Sequence, residues 1–162
     1  MTSTEAPMND AEVKIVKHKN IKSVLFLFGF AAITSFLLWL SITDEFSLFL
    51  IVFTIAFVII TIALFIDVVT KFNIAQKDIQ QQIKVIDQFT VIKKHQSKNS
   101  GNSYSYYIDF NSEDIKSYEI KKKAFDAINT HDTVEIEYTK YAFWILKIEH
   151  NGINIENKFT NQ

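Results

Sequence analysis

The sequence predicts a membrane α-helical hairpin joined to a β-rich soluble domain. Three observations predict it. Residues 23–66 carry only two charges, Asp44 and Glu45, while nearly all other charge lies in the flanks. Within that stretch, two uncharged runs without proline stand three residues apart. Beyond residue 82 the apolar spacing changes from helical to alternating.

Taken in order, residues 1–10 are polar and read as disordered, and residues 1–22 as a whole form a polar, basic flank. Val13, Ile15, Val16 and Ile21 within it also suit a short basic helix lying on a membrane surface. The first apolar run, Ser23–Ile42, has 20 residues. As a helix it is about 30 Å long, the thickness of a bilayer's hydrocarbon core. It exceeds the ~7–15 apolar residues of a signal peptide and ends in Trp39-Leu40-Ser41-Ile42, so it reads as a retained anchor. The second run, Phe46–Ile66, has 21 residues. Two such runs side by side in a short chain argue against soluble core helices.

Thr43, Asp44 and Glu45 suffice for a tight helical turn, and Thr43 or Asp44 suits the cap of the second helix. Trp39 stands near this turn, at interface depth. Lys14, Lys17, Lys19 and Lys22 precede the first span, Lys71 and Lys77 follow the second, and the turn has no basic residue. The positive-inside rule then puts both termini in the cytoplasm. Asp67 falls at the cytoplasmic boundary as a solvated residue. Gly29, Ala32 and Ser35 share a face of the first helix, and Thr54 and Thr61 a face of the second. Small and hydroxyl residues let membrane helices approach, so these faces are expected to meet each other or a partner.

Residues 67–82 read as a connector, either continued helix or linker, and residues 83–157 as the soluble domain with a tail at 158–162. Ile83, Val85, Phe89 and Val91 keep strand spacing, and residues 98–103 are a turn cluster. Tyr104, Tyr106, Ile108 and Phe110 alternate with Ser105, Tyr107 and Asp109, a strand. Ile115–Ile120 is a short strand and Lys121–Ile128 one or two helical turns. Val134, Ile136 and Tyr138 alternate with Glu135 and Glu137, and Ala142–Glu149 is the next strand. Asn151-Gly152 favours a type I′ hairpin turn before a short strand at Ile153–Glu156. Three strands, a short helix and two strands is the order of an OB-like small barrel. An SH3-like barrel or an open curled sheet competes with it.

Chemistry is poorly represented. There is no cysteine, so disulfides and thiolate chemistry are excluded. All 17 basic residues are lysine, so bidentate guanidinium clamps are absent. His18, His95, His131 and His150 show no metal-ligand spacing. Three glycines cannot build a phosphate loop, and no G-x-S-x-G occurs. No catalytic, cofactor or metal residue is assigned, and an enzyme is not expected. Tyr104, Tyr106, Tyr107, Tyr118, Tyr138, Tyr141 and Trp144 form an aromatic set, the candidate interaction surface of the barrel. Such residues stack single-stranded bases in some OB barrels. Residues 67–162 carry 13 lysines and 13 acidic residues, however, and that balance disfavours nucleic acid. Lys93-Lys94 and Lys121-Lys122-Lys123 are the basic runs, solvated or turned to anionic head groups.

The hairpin together with SYSYYIDF and KKAFDAINTHDTVEIEY resembles small bacterial two-span membrane proteins with a C-terminal barrel. In those the turn before the fourth strand often reads Gly-Asp, where this chain has His131-Asp132. The plan is also similar in architecture to NfeD-like proteins, which join membrane helices to an OB-type domain and associate with membrane scaffold proteins. The resemblance transfers no functional residue. The lack of assignable chemistry and a compact module on a membrane stalk lead to the expectation of a non-enzymatic accessory, assembly or scaffold protein of a bacterial inner membrane, partnered by another protein or by its own copies. A sensor binding a small ligand through the barrel is the alternative, and a nucleic-acid-binding module the third.

Overall fold

The computed structural model describes residues 3–43, 48–99, 101 and 103–155. The chain forms two units, a helical one over Asp10–Gln81 and a β unit that combines the residues through Asn9 with those from Gln82 onward.

In the helical unit, α1 spans Asp10–Thr43 and α2 spans Leu48–Gln81, 34 residues each. Both are long and apolar enough to cross a membrane, with mean hydropathy of 2.2 and 2.8 over their most apolar windows. Residues 11–22 are neither a loose flank nor a separate surface helix. They are the first three turns of α1, whose first turn carries Asp10 and Glu12 at the positive end of its dipole. The connector is likewise helical through Gln81, and Gln82 ends it at φ 52°. The expected turn residues Asp44 and Glu45, and Phe46 at the start of the second run, lie outside the described residues.

The two helices pack through a seam of three- and four-residue steps. On α1, Val13, Val16, Asn20 and Thr34 are buried, with Leu27, Phe30, Leu37 and Ser41 half-buried between and beyond them. On α2 the buried positions are Thr54, Val68, Ala75 and Asp78. This is the spacing of a left-handed helix pair. Hydroxyls bridge the seam twice: Thr34 Oγ1 to Thr61 Oγ1 at 2.7 Å and Ser41 Oγ to Thr54 Oγ1 at 2.8 Å. Phe30 and Phe57 stack at 6.0 Å. Thr54 and Thr61 therefore lie at the contact, as expected. Gly29, Ala32 and Ser35 do not: all three are exposed on α1, and a Cβ on Gly29 would meet nothing within 4 Å. The seam follows the Phe30–Thr34–Leu37–Ser41 stripe instead, because Thr34 and Ser41 supply the hydroxyls that α2 can answer. Thr54→Leu is therefore expected to overpack the seam, costing about 1–3 kcal/mol. Gly29→Leu should leave the intrachain packing intact. Detergent-resistance melting of the two variants checks this; equal loss in both would contradict the assigned seam.

The β unit is one antiparallel sheet of seven strands. It comprises β1 (Thr4–Pro7), β2 (Ile83–Lys98), β3 (Tyr104–Phe110), β4 (Ser117–Ile120), β5 (Thr133–Thr139), β6 (Ile145–His150) and β7 (Ile153–Asn154), with a short helix α3 (Lys122–Ala127) before β5. The order is β4-β3-β2-β5-β6-β7, with β1 on β2. Residues 4–7, expected to be disordered, pair as β1 with Ile83–Ile86, and the Met8 N–H donates to the Gln82 carbonyl at 2.7 Å. The helical hairpin is thus an insertion between two paired strands. A ladder far apart in sequence and close in space has no local signal, which is why β1 is invisible in the apolar pattern.

β2 organises the sheet. Its first half pairs with β5 and its second half with β3, with a register shift between Val91 and Lys93 that leaves Ile92 exposed. The bulge bends the strand. At the bend Val91 N–H donates to Asp132 O, His131 N–H donates to Val91 O, and Thr90 N–H donates to Asn111 Oδ1. Both turns are thereby stitched to the strand. Around the bent sheet Phe89, Val91, Ile108, Phe110, Ile120, Ile128, Val134, Ile136 and Ile148 form one core. The strand expected at 142–149 begins only at Ile145, since Phe143 takes φ 53° in the preceding turn. Asn151 and Gly152 take φ 52° and 75°, the pair of positive values a type I′ turn requires. Glu156 and the tail at 158–162 lie outside the described residues. His131 holds φ 75°. His131→Gly should therefore stabilise the β unit by about 0.5 kcal/mol, the relief of left-handed strain less the added chain entropy. A higher denaturation midpoint checks it.

Candidate interaction surface

The pleat of β3 divides the aromatic set. Tyr106 turns toward the core, its ring 5.1 Å from Phe125 of α3. Tyr107 turns the other way and stacks on His95 at 5.2 Å and 13°. Tyr118 packs half-buried against the core, and Tyr138 lies within it between Phe89 and Phe143. Tyr104 is exposed. Tyr141 and Trp144 are half-buried in the β5–β6 turn, where the Trp144 N–H donates to Thr139 Oγ1 at 3.0 Å and Thr139 N–H donates to Trp144 O at 3.0 Å. The seven residues thus occupy four environments rather than one stacking face.

The outward face of β5, β2 and β6 carries a charge network instead. Glu137, 8% exposed, accepts from Lys84 and lies 3.4 Å from Lys147, which is 2.6 Å from Glu149. Register places it: Glu137 pairs directly with Lys147, and Lys84 stands diagonally across β2. Alternation alone marks each of these residues as outward-facing, but it cannot say which meets which. On the same sheet, His95 Nδ1 lies 3.4 Å from Asp109 Oδ2 without a hydrogen bond.

Two groups in the sheet hold their protons more tightly than usual. Burial pushes the Tyr138 phenol up, with the Asp87 and Asp114 carboxylates adding to it. The hydrogen bond to Glu149 lifts the Lys147 ammonium, and Glu137 adds to it against the cost of burial. Both folded-state values lie above the unfolded ones. Their contribution to stability is therefore complete below about pH 10 and is lost as pH rises through the folded values. The β unit should lose stability from about pH 10 upward, read by denaturant midpoint alongside phenolate absorbance. A midpoint unchanged through that range would contradict the assigned contacts.

A groove of about 390 Å³ opens between α3 and the β6–β7 hairpin. Ala124, Ala127, Ile153 and Ile155 line it, with Lys121 and Lys123 at its rim. His150 also lines it, largely buried, its Nε2 3.1 Å from Asp132 Oδ2. That carboxylate oxygen also accepts from the Asn129 N–H at 2.8 Å. Lys94 reaches the same helix from β2, donating to Ile128 O and standing 4.4 Å from the Phe125 ring centroid. The groove combines residues up to 34 positions apart, from Lys121 to Ile155, and nothing in their local pattern announces it. Among the described residues no group of three or more metal-capable side chains converges. Family models, curated proteins and solved structures all yield no match to the chain.

Proposed function

We propose that this chain is a non-enzymatic membrane-anchored accessory protein, which holds an OB-like domain at the cytoplasmic face of a bacterial inner membrane for a protein partner. The observation that carries the reading is the outer surface of the hairpin. The hydroxyls of Thr34, Ser41, Thr54 and Thr61 are turned inward across the seam, while Leu25, Phe28, Ile59 and Ile66 are each more than 60% exposed. Apolar surface on all sides of a helix pair suits lipid rather than water. At about 51 Å each, the helices exceed the hydrocarbon by several turns, so their lysine-bearing ends stand outside it. Asp67 and Lys71, paired at 2.8 Å and exposed, mark that boundary. The lysines argue for cytoplasmic termini.

The strand order with a helix before β5 supports an OB-like barrel, although no β4–β6 closing pair is among the described ladders. An SH3-like barrel or an open curled sheet remains the competing description. The unclosed sheet leaves β4 as a terminal strand, a surface to which a partner's strand can add. Of bilayer, protein and nucleic acid, the first two are the partners proposed. Extraction in mild detergent tests the reading: the chain should migrate in a complex that survives purification. A monomer without co-migrating protein would overturn it. The groove beside α3 favours a second reading, a sensor that binds a small ligand through the same domain.

A further inference from the structure

We propose that the groove between α3 and the β6–β7 hairpin binds a small monoanionic amphiphile of the fatty-acid kind. Its carboxylate would sit at the lysine rim, with its chain over Ala124, Ala127, Ile153 and Ile155. This rests on the small-ligand reading above and leaves the protein-partner reading untouched. Two features select the class. First, the lining is mostly apolar, and at about 390 Å³ it is the size of a small-molecule site rather than of a helix or strand of a partner. Second, the charge around it is one-sided. Lys121, Lys122 and Lys123 open α3, and Lys94 converges on the same helix from β2. Among the described residues the acidic groups nearby include Asp126, exposed on α3, Asp132, whose oxygen is already held by His150 and the Asn129 N–H, and Glu149, across from Asn154 and paired with Lys147. An anion therefore finds cations at the rim, and a neutral lipid chain finds only the walls. A multiply charged ligand such as free phosphate would use the rim and leave the apolar lining uncovered.

The test uses the full chain in phosphatidylcholine nanodiscs and a decanoate carrying a terminal diazirine, with the labelled peptides mapped by mass spectrometry. Label is expected on residues 124–127 and 153–155. Decanoate should compete it away, and decanol at the same concentration should not. The variant K121E/K123E should lower groove labelling about tenfold. Labelling of residues 23–66 from the bilayer should be unchanged, which shows that variant and probe are intact. Label confined to 23–66, equal competition by decanol, or no response to charge reversal would overturn the proposal. If a neutral amphiphile still raised the melting midpoint of the β unit, the ligand reading would survive the loss of this assignment. No midpoint response to either amphiphile would remove both.

Discussion

Ile136→Ala is expected to destabilise the β unit by about 2–5 kcal/mol, a large share of what a domain of this size holds in reserve. Ile136 is fully buried on β5, opposite Asp87 of β2 and Ile148 of β6, at the centre of the core. Truncation leaves a cavity that three hydrogen-bonded strands cannot collapse into without breaking ladder bonds. The helices form a separate unit with their own seam, so the loss should be confined. Hydrogen exchange on the full chain reads both units at once. Protection should fall across β2, β5 and β6 and hold in the middle of α1 and α2. Parallel loss in the helices would mean that the two units unfold as one.

Glu137→Ala is the second large effect, about 2–3 kcal/mol, which is less than for a fully enclosed pair because Lys147 keeps contact with solvent. The substitution removes the Glu137 carboxylate from Lys84, whose side chain is only 13% exposed. Glu137→Gln keeps an acceptor for Lys84 and should cost less than half as much. Chemical denaturation of the two variants separates loss of charge from loss of the hydrogen bond. Equal and small effects would show that the network is solvated decoration.

The two long apolar helices and most strands were legible because each is a local pattern. A 20-residue run without charge and an open alternation at Tyr104–Phe110 and Val134–Tyr138 are both read from neighbours in the chain. The Asn151-Gly152 turn was legible because the backbone it needs suits few other dipeptides. What stayed hidden depends on register or on distant pairing. β1 is four ordinary residues that become a strand only because Ile83–Ile86 lies beside them. The Gly29–Ala32–Ser35 stripe has the right chemistry for helix packing. Within the chain the contact falls instead on the Thr34–Ser41 stripe, where two interhelical hydroxyl bonds form, and the Gly29 stripe faces outward. Tyr138, although grouped with the candidate surface aromatics, alternates with Glu137 as an inward residue; what the local pattern does not show is that Phe89 and Phe143 are its ring neighbours.

The central claim is that Asp10–Gln81 is a membrane hairpin inserted between β1 and β2. The absence of native cysteine makes a direct test simple. Single cysteines at Ile33, Thr43, Ile59 and Gln96 are challenged with a membrane-impermeant maleimide in spheroplasts. Thr43→Cys should label in intact spheroplasts and Gln96→Cys only after permeabilisation. Ile33→Cys and Ile59→Cys should stay silent until the bilayer is dissolved. Labelling of Ile33→Cys and Ile59→Cys in native membranes as fast as Gln96→Cys would contradict the hairpin.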